Sequence, residues 1–373
     1  MGVPHCSGGT TLIDARVNRL AKVLVRYSRG VKRGQKVLIS GPAAAAPLIL
    51  ELGREVLRAG GHPMYRMTPD GAAEVFFAEA GPTQLAFMPQ SALAAAREAD
   101  HYISVIADTN TQALAQVDPK RQVAVQKARR RLSDIVLAKG QWTLTLFPTP
   151  AYAQDAGMGL EEFEAFAFAA MCVDKKDPVA EWRRAKRFQD RILARLKRAD
   201  RIRLVAPDTD LALSVKGRRF LGSSGAYNMP DGEIFTGPVE TSAEGRIRYT
   251  YPVCYAGKEV VDVRLEFEAG KVVRATAAKN EGFLRQMIAM DAGASRLGEL
   301  GIGTNYGITR FIKNILFDEK IGGSVHLALG RSYEETGGRN RSALHWDMIC
   351  DLRSGGRIEV DGRVLSADGK FRL

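Results

Sequence analysis

The sequence predicts an α/β fold in two parts: an N-terminal α/β domain over residues 1–200, with a mostly parallel sheet and flanking helices, and a C-terminal α+β domain over residues 201–373, rich in antiparallel strands. Three observations predict it. Helical and strand patterns alternate through the first 150 residues, the texture of β-α-β units. After Asp200 the pattern changes to short alternating segments parted by Gly, Asp and Asn, which is antiparallel texture. The chain of 373 residues is 45% hydrophobic, enough for two cores.

Taken in order, residues 12–27 carry Leu12, Ala15, Leu20, Val23, Leu24 and Tyr27 at helical spacing. A turn at 32–35 leads into a strand at 36–40 that stops at Gly41-Pro42. A helix over 47–58 ends at Gly60-Gly61, and 63–67 reads as the next strand. The unit recurs as helix 91–99 with strand 101–107, and as helix 118–131 with strand 142–147. Helices over 160–173 and 178–199 follow, the second long and basic, joining the two domains. Beyond it, strands are expected at 201–206, 211–216, 247–252, 260–268 and 271–277. A helix at 280–290 interrupts, and strands resume at 343–352 and 357–364.

Composition removes several classes of function. The longest apolar stretches, 43–50 and 165–173, are too short to span a bilayer, so no membrane partner is expected. The N-terminus lacks a basic region followed by an apolar core, and Cys6 occupies the position where a myristoylation pattern wants Ser or Thr. Cys6, Cys172, Cys254 and Cys350 are far apart, which reads as buried thiols in a cytoplasmic protein. The net charge is +12, from 54 Lys+Arg against 42 Asp+Glu, and that invites a nucleic-acid partner. Much of the excess sits in 120–131 and 183–203, where Arg and Lys interleave with Trp182, Phe188, Ile192 and Leu196 as the solvated face of a helix. No zinc finger, RNP-type strand or GXXG loop accompanies it, so nucleic acid is not the expected partner.

A phosphate loop, a nucleophile elbow and an H-E-x-x-H helix are all absent, and 298–303 lacks the strand and helix that would make its glycines a dinucleotide site. Two of five histidines, His326 and His345, fall close together near the C-terminus. In the apolar strand around it, His345 shares a face with Asp347, because side chains alternate along a strand. Alone, that pair reads as a buried His–Asp hydrogen bond. Glu233, just past the turn Asn228-Met229-Pro230-Asp231-Gly232, and Glu299, isolated in an apolar glycine-rich stretch, change the balance. A carboxylate in such surroundings is costly unless paired or bound to a metal. Three carboxylates and two imidazoles can supply a pair of divalent ions without any thiolate.

Four segments carrying these residues resemble the site motifs of the thermophilic metallo-aminopeptidase family, the aminopeptidase T, aminopeptidase S and PepS group. They are Asn228-Met229-Pro230-Asp231-Gly232-Glu233, Leu297-Gly298-Glu299, the run from His326 to Tyr333, and the run from Asn340 to Asp347. The likeness extends over nearly the whole chain, including residues 27–34, 38–42 and 149–154. The resemblance implies a homodimer enclosing its active sites, and a dinuclear centre in the C-terminal domain held by Glu233, Glu299, His326, His345 and Asp347. Glu299 would bridge the ions, which would be Zn, Co or Mn. Tyr333 matches the active-site tyrosine, placed either to stabilise an oxyanion or to ligate metal. The implied activity is removal of the N-terminal residue from peptides by a water activated between the two ions. One departure is the interval 331–340, ten residues long and shorter than in the thermophilic members, which leaves substrate selectivity open.

Two other readings compete. His326, His345 and Asp347 alone make the two-histidine, one-carboxylate set of a non-haem Fe(II) ring-cleaving dioxygenase, a chemistry that would not need Glu233 and Glu299. A basic nucleic-acid-binding module would use 120–131 and 183–203, and the full ligand set argues against it.

Overall fold

The computed structural model describes residues 14–255 and 257–373, so Leu12 and Cys6 lie outside the described residues. The chain divides into two compact units: residues up to 151 with 173–179, and residues 152–172 with 180–373. The fold is mixed α/β, with a parallel sheet in the first unit and antiparallel sheets in the second.

In the first unit β1 (Lys36–Pro42), β2 (His62–Thr68), β3 (His101–Ile106) and β4 (Trp142–Leu146) run parallel in the order β2-β1-β3-β4. Val37, Leu38 and Ile39 in β1 are buried, as a strand flanked by helices on both faces requires. The helix expected over 12–27 is α-helical over Ala15–Lys22, capped by the Asp14 carboxylate, which accepts from Arg16 N–H at 2.8 Å. It continues over Val23–Ser28 with wider π-type turns. The helix expected to end near residue 131 spans Pro119–Lys139, because Leu132, Ile135 and Val136 pack on Ala96, Ala99 and Tyr102. Gly140, at φ 60°, then supplies the left-handed residue that ends it.

In the second unit the helices Leu160–Ala170 and Pro178–Leu196 precede the strands. Trp182, Gln189, Ile192 and Leu196 are buried while Arg183, Arg184, Arg187 and Arg191 are exposed, so the basic helix turns its charge to solvent. The strands are β5 (Arg201–Ala206), β6 (Thr209–Ser214), β7 (Leu221–Ser223), β8 (Asn228–Met229), β9 (Glu233–Thr236), β10 (Glu244–Arg248), β11 (Val253–Tyr255) and β12 (Lys258–Val260). They continue as β13 (Arg264–Glu268), β14 (Lys271–Thr276), β15 (Leu297–Gly303), β16 (Ser324–Gly330), β17 (His345–Asp351), β18 (Arg357–Val360), β19 (Arg363–Ala367) and β20 (Lys370–Phe371). The single strand expected over 260–268 is two, β12 and β13, parted where Asp262 takes φ 53°.

One sheet has the order β14-β13-β10-β6-β5-β18-β19-β20 and the other β17-β16-β15-β9-β7. Ile202, Leu204, Leu211, Leu213 and Leu265 of the first share one core with Leu300, Ile302, Leu327, Leu329 and Met348 of the second. Each such side chain, fully buried, contributes about 1.5–3 kcal/mol. Helix Glu281–Ile288 adds Leu284 and Met287. This core fixes the register of β15, β16 and β17, and with it which side chains face the other way. No helix among the described residues is long and apolar enough to cross a membrane.

Candidate metal centre

The face of the five-stranded sheet turned away from this core gathers the residues singled out in the sequence. Strands β9, β15, β16 and β17 lie side by side, and their register pairs Glu233 with Gly303, Gly301 with His326, Glu299 with Ala328, Ala328 with Asp347, and Gly330 with His345. Directly paired residues share a face. Glu233, Glu299, His326, His345 and Asp347 therefore project together, while Leu300, Ile302, Leu327 and Met348 point into the core. Their cross-strand partners are mostly Gly or Ala, so the face is a shallow floor with room above it. At Gly301 the room is obligatory: a Cβ there would lie 1.9 Å from His326 Nε2.

Two triads result. One contains Glu233, Glu299 and His326, the other Glu299, His345 and Asp347, and within each triad the donor atoms lie within 4.8 Å of one another. His326 Nε2 is 3.3 Å from Glu233 and 3.6 Å from Glu299; His345 Nε2 is 3.4 Å from both Glu299 and Asp347. Each imidazole is oriented from behind. His326 Nδ1 bonds the Glu319 carbonyl at 2.9 Å and His345 Nδ1 the Arg331 carbonyl at 2.8 Å, which makes Nδ1 the donor and turns Nε2 toward the carboxylates.

The electrostatics suit a cation. Burial pushes Glu233 up to about 8 despite the neighbouring Lys320 ammonium, and burial raises Glu299 as well. Burial works against charge on His326 and His345, yet the surrounding carboxylates outweigh it and raise them to about 10 and about 9. In the metal-free chain, protons on these imidazoles supply the positive charge the carboxylates call for. Asp347 Oδ1 is buried with no hydrogen-bond partner, an arrangement that is costly unless something else binds the oxygen. Orphaned carboxylate oxygen, imidazole Nε2 atoms and no thiol form a donor set that fits divalent metal.

Tyr333, the sixth residue singled out, sits at the rim with 41% of its surface exposed. Its ring packs edge-on against His345, at 5.3 Å, and Phe235, at 5.6 Å. Desolvation and the Glu299 and Asp347 carboxylates raise its phenol, so it stays protonated as a donor.

Two further residues escaped the sequence reading. Asp231 is fully buried and accepts from Ser223 Oγ at 2.7 Å, Gly225 N–H at 2.7 Å and Gly232 N–H at 2.9 Å, locking the turn that delivers Glu233. Lys320, with no exposed surface, hydrogen-bonds the Glu319 carboxylate and holds its Nζ 3.9 Å from Glu233. The adjacent charges Asp318-Glu319-Lys320 directly before an apolar strand were the available signal.

The chain is similar to known proteins along nearly its whole length. The description "thermophilic metalloprotease (M29)" matches residues 13–371. Aminopeptidase 2 of Geobacillus stearothermophilus is 27% identical, covering 96% of this chain and 95% of that protein; aminopeptidase T of Thermus thermophilus is 26% identical, covering 93% and 94%. The solved structure of wild-type AmpT from Thermus thermophilus superposes with a TM-score of 0.83 at 25% identity, covering 96% of this chain and 99% of that one. A 2,5-dihydroxypyridine dioxygenase from Pseudomonas putida KT2440 shares the fold, with a TM-score of 0.57 at 16% identity over 96% of this chain and 97% of that one. With the family's match running almost end to end, the chain belongs to the thermophilic metalloproteases (M29), enzymes that hydrolyse peptide bonds.

Proposed function

We propose that this enzyme is a cytoplasmic, homodimeric aminopeptidase that releases the N-terminal residue of peptides at a dinuclear centre in the domain from residue 201 onward. The observation that carries the reading is the pair of triads meeting at Glu299. Glu233 and His326 would hold one ion, His345 and Asp347 the other, and Glu299 both. Bound there, divalent Zn, Co or Mn would supply Lewis acidity, polarising a carbonyl and making water a better nucleophile near neutral pH.

The chain's own groups supply the rest. Two backbone carbonyls, of Glu319 and Arg331, keep both imidazoles in the tautomer that leaves the Nε2 lone pair toward the carboxylates, free to hold an ion. The Lys320 ammonium offsets the charge of Glu233 and Glu319. Tyr333 donates its phenol proton in a hydrogen bond to the oxyanion that develops as the carbonyl is attacked. A free α-amine on the substrate suits a floor this rich in carboxylate, which accounts for cutting only at an N-terminus.

The fold likeness to a dioxygenase keeps one rival in view. An Fe(II) site would need only His326, His345 and Asp347, and Glu233 and Glu299 in the same cluster favour two ions. Metal-reconstituted hydrolysis of leucyl-, arginyl- and aspartyl-p-nitroanilide, with Glu299→Ala and chelator-treated controls, tests the proposal. Release by wild type with two ions per chain, absent in both controls, supports it. Silence from folded protein with both sites filled sinks it, and one iron per chain with consumption of oxygen and a hydroxypyridine would replace it.

A further inference from the structure

Beside the ligands, β17 is the last strand of its sheet, and one of its edges has no strand partner among the described residues. Which main-chain groups face that edge follows from contacts on either side of it. Leu344 C=O accepts from Arg331 N–H at 2.7 Å, on the β16 side. Ile349 C=O accepts from Thr250 N–H at 3.0 Å, and Asp351 N–H donates to Thr250 Oγ1 at 2.8 Å, on the open side. Main-chain groups alternate in direction along a strand, so those of His345 and Asp347 aim the same way as those of Ile349 and Asp351. Thr250 zips the C-terminal half of this edge. Two residues later Pro252, which has no N–H to donate, lines the place where the zipper gives way. Between β11 and the N-terminal half of β17 a slot of about 370 Å³ opens, bordered by His345 and Asp347. Its walls are mainly apolar, with Val253, Tyr255, Phe311, Ile315 and Trp346, and Lys313 and Asp318 add two charged groups to the lining. The Phe311 wall is braced by Tyr251, stacked on it at 4.7 Å and bonded through its hydroxyl to Asp351 at 2.7 Å.

We infer that this slot is a peptide subsite, in which the substrate segment after the scissile bond lies extended along the β17 edge, pairs its main chain with Asp347 and buries one apolar side chain against Tyr255, Phe311 and Trp346. The inference rests on the proposed aminopeptidase reading of the neighbouring centre. The order of the substrate follows from its chemistry. An N-terminal residue has only its amine and its scissile carbonyl as main-chain polar groups, and both are engaged in the reaction. Only residues beyond the cut have an N–H and a C=O left to complete a strand edge, the usual mode of peptide capture by an open sheet. The slot has the dimensions of a ligand pocket, with mainly apolar surface above and, at its base, main-chain groups of Asp347 that have no backbone partner among the described residues. The preferred substrate is therefore a peptide of three or more residues with an apolar residue just after the cut, rather than an amino-acid amide.

The metal-loaded enzyme is assayed with leucyl-p-nitroanilide, with the peptide Leu-Phe-Ala-Ala, and with two analogues methylated on the Phe–Ala or the Ala–Ala amide nitrogen, leaving the scissile amide untouched. One of the two methyl groups is expected to raise KM at least tenfold while kcat stays within twofold, because it removes a main-chain donor and blocks the strand edge. Turnover of the parent peptide with both analogues within twofold of its KM overturns the subsite while leaving the hydrolytic centre standing. Silence on leucyl-p-nitroanilide and the parent peptide alike overturns the centre, and the subsite with it. On the protein side, Ile315 is 52% exposed at the slot, so Ile315→Trp fills it with little risk to folding, checked by the melting temperature. A rise in KM for Leu-Phe-Ala-Ala of fivefold or more supports the subsite, and an unchanged KM overturns it.

Discussion

Replacing Gly301 by alanine tests the geometry of the centre without touching a ligand. The added methyl carbon would sit 1.9 Å from His326 Nε2 and 2.0 Å from its Cε1. Ordinary contacts between such atoms are about 3.5 Å, so the overlap is about 1.5 Å and the ring must leave its place. A metal ligand can be displaced by only about 0.2 Å before the coordination geometry fails. The backbone has no reason to object. Gly301 lies in an ordinary strand conformation, where alanine is preferred over glycine by about 0.5–1 kcal/mol. The atom in the way is the far end of a side chain, so the expected product is a folded protein with His326 turned aside. Displacing one ligand should weaken metal binding at the Glu233–Glu299–His326 triad by at least 10- to 100-fold, on the order of what loss of a ligand's support costs elsewhere. Chelator competition measures this, with circular dichroism and thermal melting reporting the fold. A Gly301→Ala protein that binds metal within twofold of wild type would refute the placement of His326 over Gly301.

Other substitutions separate the remaining roles. Glu233→Ala should lower the metal content from two ions per chain to one, whereas Glu299→Ala should lose both, and elemental analysis after dialysis distinguishes them. Tyr333→Phe should cut kcat by about 100-fold with KM and metal content unchanged, the usual cost of one oxyanion donor; a kcat within threefold of wild type removes Tyr333 from the reaction. With His326 raised to about 10 and His345 to about 9, both imidazoles of the metal-free protein carry protons at pH 7, and a metal must displace them. Apparent affinity should therefore climb as pH rises toward 9, by about tenfold per pH unit for each proton displaced. Binding enthalpies that do not change between phosphate and Tris buffers would contradict proton release. Asp291 accepts from Ala343 N–H at 2.8 Å and from Ser342 Oγ, Gly293 N–H and Ala294 N–H, each at 2.9 Å, and these bonds hold its carboxyl below the ordinary value. Asp291→Ala should cost about 1–3 kcal/mol at neutral pH. Because the folded pKa is depressed, that contribution is present above about pH 4 and is lost as pH falls through the folded value. A stability gap that stays constant down to pH 2.5 would exclude the carboxylate as its source.

The parallel sheet of the first unit was legible because its strands are short runs alternating with helical patterns, most plainly Val37-Leu38-Ile39, which stops at Gly41-Pro42. The ends of helices were less so. Tertiary packing of Leu132, Ile135 and Val136 carries Pro119–Lys139 eight residues past the point where its basic run stops. At the centre, His345 and Asp347 were readable as neighbours from strand alternation alone. Strand β15 was not, because glycine at 298, 301 and 303 erases the β-branched signature that marks a strand. Gly301 is there because His326 on β16 occupies the space above it, and Gly298 and Gly303 because the backbone carbonyls of Gly330, Arg331 and Ile321 come close, requirements that only the folded neighbours reveal. Lys320 and Asp231 were hidden for a related reason: their importance lies in burial, and nothing in one sequence says that a lysine has no exposed surface.

All five candidate ligands sit within, or at the first residue of, strands whose opposite face is welded into the main core, and none belongs to a loop. A loop-borne site can fray, lose its ion and re-form while the rest of the protein stays folded. Here the coordination sphere has no such private route to opening, since moving a ligand backbone means breaking ladders that also hold the core. On heating, activity should persist until the second unit melts as a whole and then vanish with it, and ions should be released in that same event. The rate at which the enzyme dies at high temperature thus becomes the rate at which one sheet comes apart.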